Sequence, residues 1–328
     1  MAIMYPLKFE NIYFEKVWGS QALSTIRDNV PQGEIGESWD VACHEKTVSI
    51  VANGKYKGYR LDDLIEQKQE LLLGNKLVGK KFPLLIKLLS PGDRLSVQVH
   101  PYDEYAKKYE NGELGKTEAW YIVEAKENAH IILGTNGCTK EEFKKAIKDG
   151  TVEKYMNKIN VKKGDVFYLK SGLIHTMGPG MIVAEIQQNS DTTYRVYDYG
   201  RGRKTHIEKA LDVIRFDYEG KRREGLLVEK DGYNKIYYCL SEHFSLEVYD
   251  IFESMTEKSD KDRFYIFTAI EGQGIIYYCK GEVDFKKGDS IFIPAALGEY
   301  SIQGDCRLIK SYVPDVETVE EEILNIIK

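Results

Sequence analysis

The four residues Lys-Lys-Gly-Asp occur twice in this chain, and an apolar run follows them each time. The first copy, at residues 162–165, precedes VFYL, and the second, at 286–289, precedes SIFIP. A turn that recurs between segments with strand patterns is typical of a duplicated structural unit. The repeat therefore predicts two related β domains in one chain.

Short segments of alternating apolar and polar residues predict a fold that is mainly β. Clear examples are LSVQVH (95–100), AWYIVEA (119–125), DVFYLK (165–170) and MIVAEIQQ (181–188). Their spacing favours antiparallel sheets over a doubly wound sheet, because strands and helices do not alternate regularly. Few helices are expected: residues 61–73, a helix capped by Thr139 with Glu142, a connector at 205–216 and the C-terminal EEEILNIIK.

The domain boundary is predicted near residue 222, giving a catalytic domain over 1–222 and a second domain over 223–328. With an offset of 124 residues between the two copies, His175 of the first copy corresponds to Glu299 of the second. Replacement of the histidine removes a potential metal ligand from the second copy. We therefore expect the second domain to be degenerate and to hold no metal.

Composition excludes several classes of function. A net charge of −6 and a pI near 5.7 give no general attraction to nucleic acid. No stretch approaches the roughly 20 apolar residues that a membrane span needs. The N-terminal residues lack the pattern of a secretory signal, so a cytoplasmic protein, as a monomer or a homodimer, is expected.

Residues 164–179 resemble the second conserved motif of cupins, with Lys170 where that motif has proline. In such a motif a tight turn, eased by Gly172, lets the returning strand direct His175 into the mouth of a barrel. Upstream, Gln98 and His100 are two residues apart and share one face of a strand. Glu118 begins the next apolar strand, so the two histidines, the carboxylate and the amide can converge on one zinc ion.

His44, His130, His206 and His243 have no comparable partners in their segments, and we expect them to be structural.

Seven segments together resemble type I mannose-6-phosphate isomerases, in particular the short bacterial branch. They are EKVWGS (15–20), GESWDVA (36–42), PLLIKLL (83–89), LSVQVHP (95–101), GKTEAWYI (115–122), SGLIHTMG (171–178) and EIQQNSDTTYRVYDYGR (185–201). The resemblance implies a fold of two cupin-like, jelly-roll β-barrels. It also implies a zinc-dependent enzyme that interconverts mannose 6-phosphate and fructose 6-phosphate.

The resemblance places the metal ligands at Gln98, His100, Glu118 and His175, with one zinc ion per chain. Gln98 either binds the metal directly or orients a water molecule. The remaining site residues that the resemblance implies are Lys116 and Arg195 as catalytic cations, Asp191 as the residue that orients Arg195, Glu37 as a cavity carboxylate, and Trp39, Lys87 and Ser96 as substrate-binding residues.

Several assignments stay open at this stage. The base that removes the C2 proton is Glu37, Asp191, a metal-bound hydroxide or a neutral Lys116, and the phosphate group is bound by Arg195, Lys87 or Arg201. Two other functions fit the same ligands. Two histidines and a carboxylate also form the site of iron-dependent cupin oxygenases, and a sugar-binding cupin without activity is the second alternative.

Overall fold

The fold is built mainly from β-strands, which confirms the prediction from the alternating segments. The computed structural model describes residues 4–327, apart from the side chain of Ile327. Within this range no helix is long and apolar enough to cross a membrane.

The α-helices of the described chain are short and lie between groups of strands. They are α1 (Leu61–Leu73), α2 (Asp103–Tyr109), α3 (Lys140–Lys148), α4 (Ile207–Val213) and α5 (Val316–Ile327), with 3₁₀ helices at Ala22–Thr25, Gly54–Tyr56, Asn75–Leu77 and Val152–Tyr155. The predicted capping box is present at α3. The Thr139 hydroxyl accepts a hydrogen bond from the Glu142 amide at 3.2 Å, and the Glu142 carboxylate accepts one from the Thr139 amide at 2.8 Å.

The strands of the described chain follow one another with short connections. They are β1 (Leu7–Lys8), β2 (Ile12–Glu15), β3 (Ile35–Val41), β4 (Cys43–His44), β5 (Thr47–Val48), β6 (Leu84–Leu89), β7 (Val97–Val99), β8 (Glu118–Ala125), β9 (His130–Thr135), β10 (Met156–Asn160), β11 (Val166–Leu169), β12 (His175–Met177), β13 (Met181–Gln188), β14 (Tyr194–Tyr197), β15 (Leu226–Lys230), β16 (Tyr233–Leu240), β17 (Ser245–Ile251), β18 (Ser254–Lys258), β19 (Tyr265–Tyr278), β20 (Gly281–Lys286), β21 (Ser290–Ile293) and β22 (Glu299–Tyr312).

Contacts divide the described chain into two compact units. We call one the site unit, Tyr13–Ser38 with Lys87–Arg223, and the other the second unit, which comprises the described residues up to Ile12, Trp39–Ile86 and the described residues from Glu224. By these contacts, the chain passes from the site unit to the second unit between Arg223 and Glu224. Two N-terminal segments also belong to the second unit. The domain limits at residue 222 stay a prediction.

The site unit is built on two sheets. One has the order β10-β9-β12-β7-β14, and the other, in the order β11-β8-β13-β6-β3-β2, contributes the strands and parts of strands that fall within the unit. Its apolar core takes side chains from both sheets, including Trp120 and Phe167 from one and Leu133 and Met177 from the other. Burying these apolar side chains holds the two layers face to face.

The second unit contains the nine-stranded sheet, in which β1-β21-β19-β22-β17-β16-β15 are neighbours, β18 pairs with β22 and β20 pairs with β19. Strand pairing in the described residues leaves these sheets open, so the layers do not close into the continuous hydrogen-bonded barrels that the sequence suggested.

The repeated Lys-Lys-Gly-Asp sequence forms the same turn in both units. In the site unit the Asp165 carboxylate accepts a hydrogen bond from the Lys162 amide at 2.9 Å, and in the second unit Asp289 accepts one from the Lys286 amide at 3.1 Å. The glycine before each aspartate has a positive φ, 88° at Gly164 and 93° at Gly288. This backbone conformation favours glycine. The predicted repeat is therefore present at the level of a shared turn.

The strands around the two turns also correspond. The order β11-β8-β13-β6 in the site unit matches β21-β19-β22-β17 in the second unit. This common order supports the interpretation that one structural unit was duplicated.

Candidate active site

Three predicted metal ligands lie together in the site unit. His175 is the first residue of β12 and pairs with Gln98 on β7, Glu118 is the first residue of β8, and His100 follows β7 directly. All three ligand side chains are buried, and one ligand atom from each lies within 4.8 Å of the others. The structure thus brings together residues separated by up to 75 positions in the sequence.

The carboxylate of Glu118 lies between the two imidazoles. Its oxygens are 3.5 Å from Nε2 of His100 and 3.4 Å from Nε2 of His175. Apart from the Lys116 ammonium, 3.1 Å from one oxygen of Glu118, the described part of the chain offers no hydrogen-bond partner to the Glu118 oxygens or to Nε2 of His100, although all three atoms are buried. Because buried polar atoms without partners are costly, this arrangement fits a site that a cation completes.

Backbone carbonyls fix the orientation of both histidines. Nδ1 of His100 donates to the carbonyl of Thr192 at 2.9 Å, and Nδ1 of His175 donates to that of Leu173 at 2.9 Å. Each Nε2 therefore presents its lone pair to the centre of the site. Burial lowers the pKa of His175 to about 4 and that of His100 below its usual value, which keeps both imidazoles neutral, as metal ligands must be.

Gln98 adjoins the same cluster. Its Nε2 lies 3.4 Å from Nε2 of His175, and its Oε1 accepts a hydrogen bond from the Ser96 hydroxyl at 3.5 Å. Turning the amide over would present the oxygen to the cluster, which is the atom that a metal ligand uses. The position thus suits the predicted fourth ligand.

A cavity of about 280 Å³ opens beside the cluster, entirely within the site unit. Charged side chains dominate its lining, and cations outnumber carboxylates. The lining residues include seven predicted site residues, namely Glu37, Lys87, Ser96, Gln98, Lys116, Asp191 and Arg195, together with Lys16, Trp18, Glu185, Thr193 and Arg203.

Two buried lysines lie at the inner end of this cavity and share Glu185. Nζ of Lys87 is 3.5 Å from the Glu185 carboxylate and that of Lys116 is 4.0 Å from it, and Lys116 also lies 3.1 Å from Glu118. Burial alone acts to lower the pKa of Lys116, but Glu118, Glu185 and Asp191 outweigh it and raise the pKa. Lys116 is therefore an ammonium group here, which opposes its use as a neutral base.

Glu37 and Asp191, the two carboxylates considered as bases, lie near Lys87. Each has a carboxylate oxygen 4.0 Å from Nζ of Lys87, and Glu37 also forms an ion pair of 2.9 Å with Lys16. Asp191 lies three residues before β14, which begins at Tyr194, and is thus outside the strand that holds Arg195.

Arg195 is oriented by neutral oxygen atoms. Its Nε donates to the Ser96 hydroxyl at 3.2 Å and its Nη1 to the carbonyl of Lys204 at 2.7 Å. Burial, followed by the charges of Arg203 and Arg201, lowers its pKa, and Asp198 acts in the opposite direction.

Asp198 is a buried carboxylate that binds two arginines. Arg203 donates to both of its oxygens, one of them at 2.9 Å from Nε, and Arg201 lies 3.1 Å away. Arg201 also contacts Asp93 at 3.4 Å. Of these two arginines, Arg203 lines the cavity.

Trp39 does not line this cavity. Its ring is fully buried within the second unit, in edge contact with His44 at 5.9 Å between centroids, and the Lys46 ammonium lies 5.1 Å from it. These contacts are those of a core aromatic residue.

Three charged cavity residues were missed from the sequence: Lys16, Glu185 and Arg203. A signal for Glu185 existed, because it is the only charged residue in the run MIVAEIQQ, and a charge in a buried strand usually has a specific partner. Lys16 and Arg203 lie in segments rich in charge, where nothing marks one cation among several.

Two family models match the chain. The model described as "Phosphomannose isomerase type I, catalytic domain" matches residues 7–128, and the one described as "Mannose-6-phosphate isomerase, cupin domain" matches residues 234–313.

Named proteins from two bacteria resemble the chain over nearly its whole length. Mannose-6-phosphate isomerase ManA of Bacillus subtilis is 39% identical over 321 residues, which cover 94% of this chain and 99% of that protein. The mannose-6-phosphate isomerase of Streptococcus mutans is 36% identical over 314 residues, which cover 94% of this chain and 98% of that protein.

Solved structures show the same fold. The crystal structure of mannose 6-phosphate isomerase from Bacillus subtilis has a TM-score of 0.87 and 36% identity, covering 94% of this chain and 99% of that one. A phosphomannose isomerase variant from Salmonella typhimurium has a TM-score of 0.76 at 16% identity, covering 94% of this chain and 99% of that one, and this match concerns the fold alone.

Proposed function

The chain belongs to the type I mannose-6-phosphate isomerase family, and we propose that it interconverts mannose 6-phosphate and fructose 6-phosphate with one zinc ion held by His100, Glu118 and His175. The observation that carries the proposal is the buried cluster of His100, Glu118 and His175 ligand atoms, which adjoins a cavity whose cations outnumber its carboxylates.

The donor set fits zinc. Two neutral imidazoles and one carboxylate leave a position for substrate or water, and Gln98 adjoins the cluster as a further ligand. When bound, the ion supplies Lewis-acid polarisation of a sugar oxygen.

The charges of the cavity suit a phosphorylated sugar. Lys16, Lys87, Lys116, Arg195 and Arg203 face Glu37, Glu185 and Asp191, so the lining carries an excess of positive charge. We propose that the phosphate group lies against Arg203, and that Arg195 acts on the negative charge that develops during the reaction. A planar guanidinium binds phosphate oxygens in a bidentate manner, and Asp198 already orients Arg203.

In this proposal Lys116 and Lys87 contact the reacting part of the sugar, whereas Arg203 binds its phosphate. Aldose–ketose isomerisation moves a proton between C2 and C1 and passes through an enediol or enediolate, in which negative charge develops on a sugar oxygen. Lys116, buried beside Glu118, donates to that oxygen. Glu185 holds both lysines in place through contacts of 3.5 and 4.0 Å, and so acts as a positioning residue.

A carboxylate of the cavity removes the C2 proton. Glu37 and Asp191 are the candidates, since both line the cavity and both oppose the buried ammonium of Lys87. Both oxygens of Glu185 are within reach of other groups, Trp120 on one side and the lysines on the other, which favours its positioning role.

A coupled assay with mannose 6-phosphate, combined with metal analysis of the same preparation, tests the proposal. We expect turnover that chelator treatment abolishes and zinc restores. Stoichiometric iron with oxygen uptake would instead establish the oxygenase alternative, and tight sugar binding without turnover would establish the non-catalytic one.

A further inference from the structure

A second cavity, of about 300 Å³, lies in the site unit. It shares no lining residue with the cavity beside the metal ligands, which is called the catalytic cavity from here on. We call the second cavity the Arg94 cavity. Its lining residues are Arg94, His130, Ile132, Glu153, Met156, Lys158, Thr176, Met177, Gly178 and Tyr199, none of which lines the catalytic cavity. Its volume matches that of the catalytic cavity and is within the range of small-molecule sites.

The Arg94 cavity reaches the opposite face of the sheet from the metal ligands. On β12, His175 pairs with Leu133 and Thr176 pairs with Ile132. Successive residues of a strand point to opposite faces, and His175 and Leu133 point inward, so Thr176 and Ile132 point outward into this cavity. A molecule bound here does not share space with the sugar in the catalytic cavity.

Positively charged groups surround the mouth of the Arg94 cavity. The Arg94 guanidinium lies 3.8 Å above the ring of Tyr199 and 3.5 Å from the carboxylate of Glu153. Lys158 and His130 line the same cavity as Arg94, and burial, together with the charges of Lys158 and Arg94, lowers the pKa of His130. Two cations against one carboxylate leave the mouth with net positive charge.

The interior is partly apolar and partly hydrogen-bonding. Ile132 and Met156 supply apolar surface, and the ring of Tyr199 adds an aromatic face. Gly178 keeps space for His130, because a Cβ atom at that glycine would lie 2.8 Å from the imidazole ring. An occupant therefore needs a compact body with an anionic group at one end.

We propose that the Arg94 cavity binds a small phosphate ester of sugar size, with the phosphate between Arg94 and Lys158 and the carbon skeleton against Ile132 and Met156. Phosphate suits this mouth because guanidinium and ammonium groups both form charge-assisted hydrogen bonds with its oxygens. Glu153 competes with the ligand for Arg94 and thereby sets a limit on the affinity.

The test uses glucose 6-phosphate as the probe and isothermal titration of the full-length protein at fixed ionic strength. Lys158→Gln removes a cation from the mouth. The affinity for the one equivalent of glucose 6-phosphate bound in the Arg94 cavity is therefore expected to fall about tenfold. Glu153→Gln releases Arg94 from its carboxylate, so the affinity of the same equivalent is expected to rise severalfold. Opposite responses to two neutral substitutions identify the site better than a single loss does.

Lys154→Gln is the matched control. This lysine is exposed, lies one residue from Glu153 and does not line the cavity, yet its substitution changes the net charge by the same amount as Lys158→Gln. We expect it to leave the affinity within twofold. Turnover of mannose 6-phosphate at low substrate concentration, measured in parallel, is expected to be unchanged in all three variants and shows that the catalytic cavity is intact.

Equal loss of affinity in Lys154→Gln and Lys158→Gln would overturn the proposal, because it would reveal a general effect of charge. So would binding of a single equivalent of glucose 6-phosphate that Arg203→Lys weakens and the Lys158 and Glu153 variants do not, because that result would place the bound ligand in the catalytic cavity. Neither result depends on whether mannose 6-phosphate is turned over, so this inference and the proposed function fail separately.

Discussion

Glu185 accepts a hydrogen bond of 3.0 Å from the indole nitrogen of Trp120. The two residues are register partners on β13 and β8 and both are buried, so the carboxylate is fixed where it meets Lys87 and Lys116. A carboxylate that is held from one side and neutralises two lysines on the other sets the geometry of the cations that contact the sugar.

Removing that carboxylate should disturb catalysis more than stability. Glu185→Gln keeps the size of the side chain and can still accept from Trp120, but it leaves Lys87 and Lys116 with less opposing charge. We expect kcat to fall by roughly 10²-fold, the scale seen when a preorganised group is lost, with zinc content unchanged. Unaltered kcat would show that Glu185 has only a packing role.

Arg195 should act on the transition state. Its guanidinium is oriented by Ser96 and the carbonyl of Lys204, and lysine cannot reproduce both contacts with a planar group. For Arg195→Lys we expect kcat to fall by about 10²-fold with zinc retained. Steady-state kinetics with metal analysis measures this, and both constants near those of the wild type would place Arg195 outside the reaction.

Arg203 should bind phosphate equally in the ground and transition states. Asp198 holds its guanidinium by two hydrogen bonds. Arg203→Lys is therefore expected to raise KM about tenfold and to leave kcat nearly constant, which is the signature of uniform binding. A fall in kcat at constant KM would assign Arg203 to the chemical step.

The base should be a single carboxylate of the cavity. Glu37→Gln and Asp191→Asn are close in size to the native residues and differ from them in charge. We expect one variant to lose at least about 10²-fold in both turnover and exchange of the C2 hydrogen with deuterated water, and the other to lose less. If both variants exchange that hydrogen at the wild-type rate, the base is neither carboxylate.

In the second unit, the loss of an ion pair between the buried Lys310 and the partly buried Glu257 should affect stability with a defined pH dependence. Nζ of Lys310 lies 2.7 Å from the Glu257 carboxylate, which also accepts from the Tyr300 hydroxyl at 2.8 Å and from Tyr249. Burial acts to raise the pKa of Glu257, but Lys310, the Tyr249 hydroxyl and the charge of Lys235 lower it to about 2.

Because the pKa of Glu257 is lower in the folded protein than in the unfolded chain, the carboxylate stabilises the fold above about pH 4.5, and this contribution is lost as the pH falls towards 2. A shift of this size corresponds to about 3 kcal/mol. Lys310→Met should therefore lower the free energy of unfolding by about 3 kcal/mol at pH 7 and by less at pH 3.

Urea unfolding at both pH values measures the difference. Lys258→Met, at an exposed lysine beside Glu257, is the matched control and should change stability by less than about 0.5 kcal/mol. Equal destabilisation by the two substitutions would contradict the assignment.

Local signals made much of the fold predictable. Residues 61–73 form α1 within the limits expected, and the capping box at Thr139 opens α3. Helix α2, DEYAKKY, was missed because its seven residues are too few for a clear helical period. The expected strand 95–100 is also shorter than predicted, since β7 covers only Val97–Val99 and His100 follows it.

The site could be predicted only in part, for a physical reason. Strand periodicity places Gln98 and His100 on one side of β7, so the ligand cluster follows from local pattern and the motif around His175. The hydrogen bond from Arg195 to the carbonyl of Lys204 could not be foreseen, because this carbonyl lies on a loop after β14 whose path has no period. The assignment of residues 39–86 to the second unit likewise rests on contacts between distant segments, and these contacts explain why Trp39 lies in a core.

The proposed metal site is tested most directly by measuring the zinc content and turnover of Glu118→Gln in comparison with Glu124→Gln. Both residues lie on β8, but Glu118 is the buried member of the ligand cluster, whereas Glu124 lies 3.8 Å from Lys163 and is partly exposed. We expect Glu118→Gln to lose most of its zinc and nearly all activity with mannose 6-phosphate, and Glu124→Gln to keep one zinc per chain and wild-type turnover. Full zinc and full activity in Glu118→Gln would contradict the proposed metal site and the mechanism built on it.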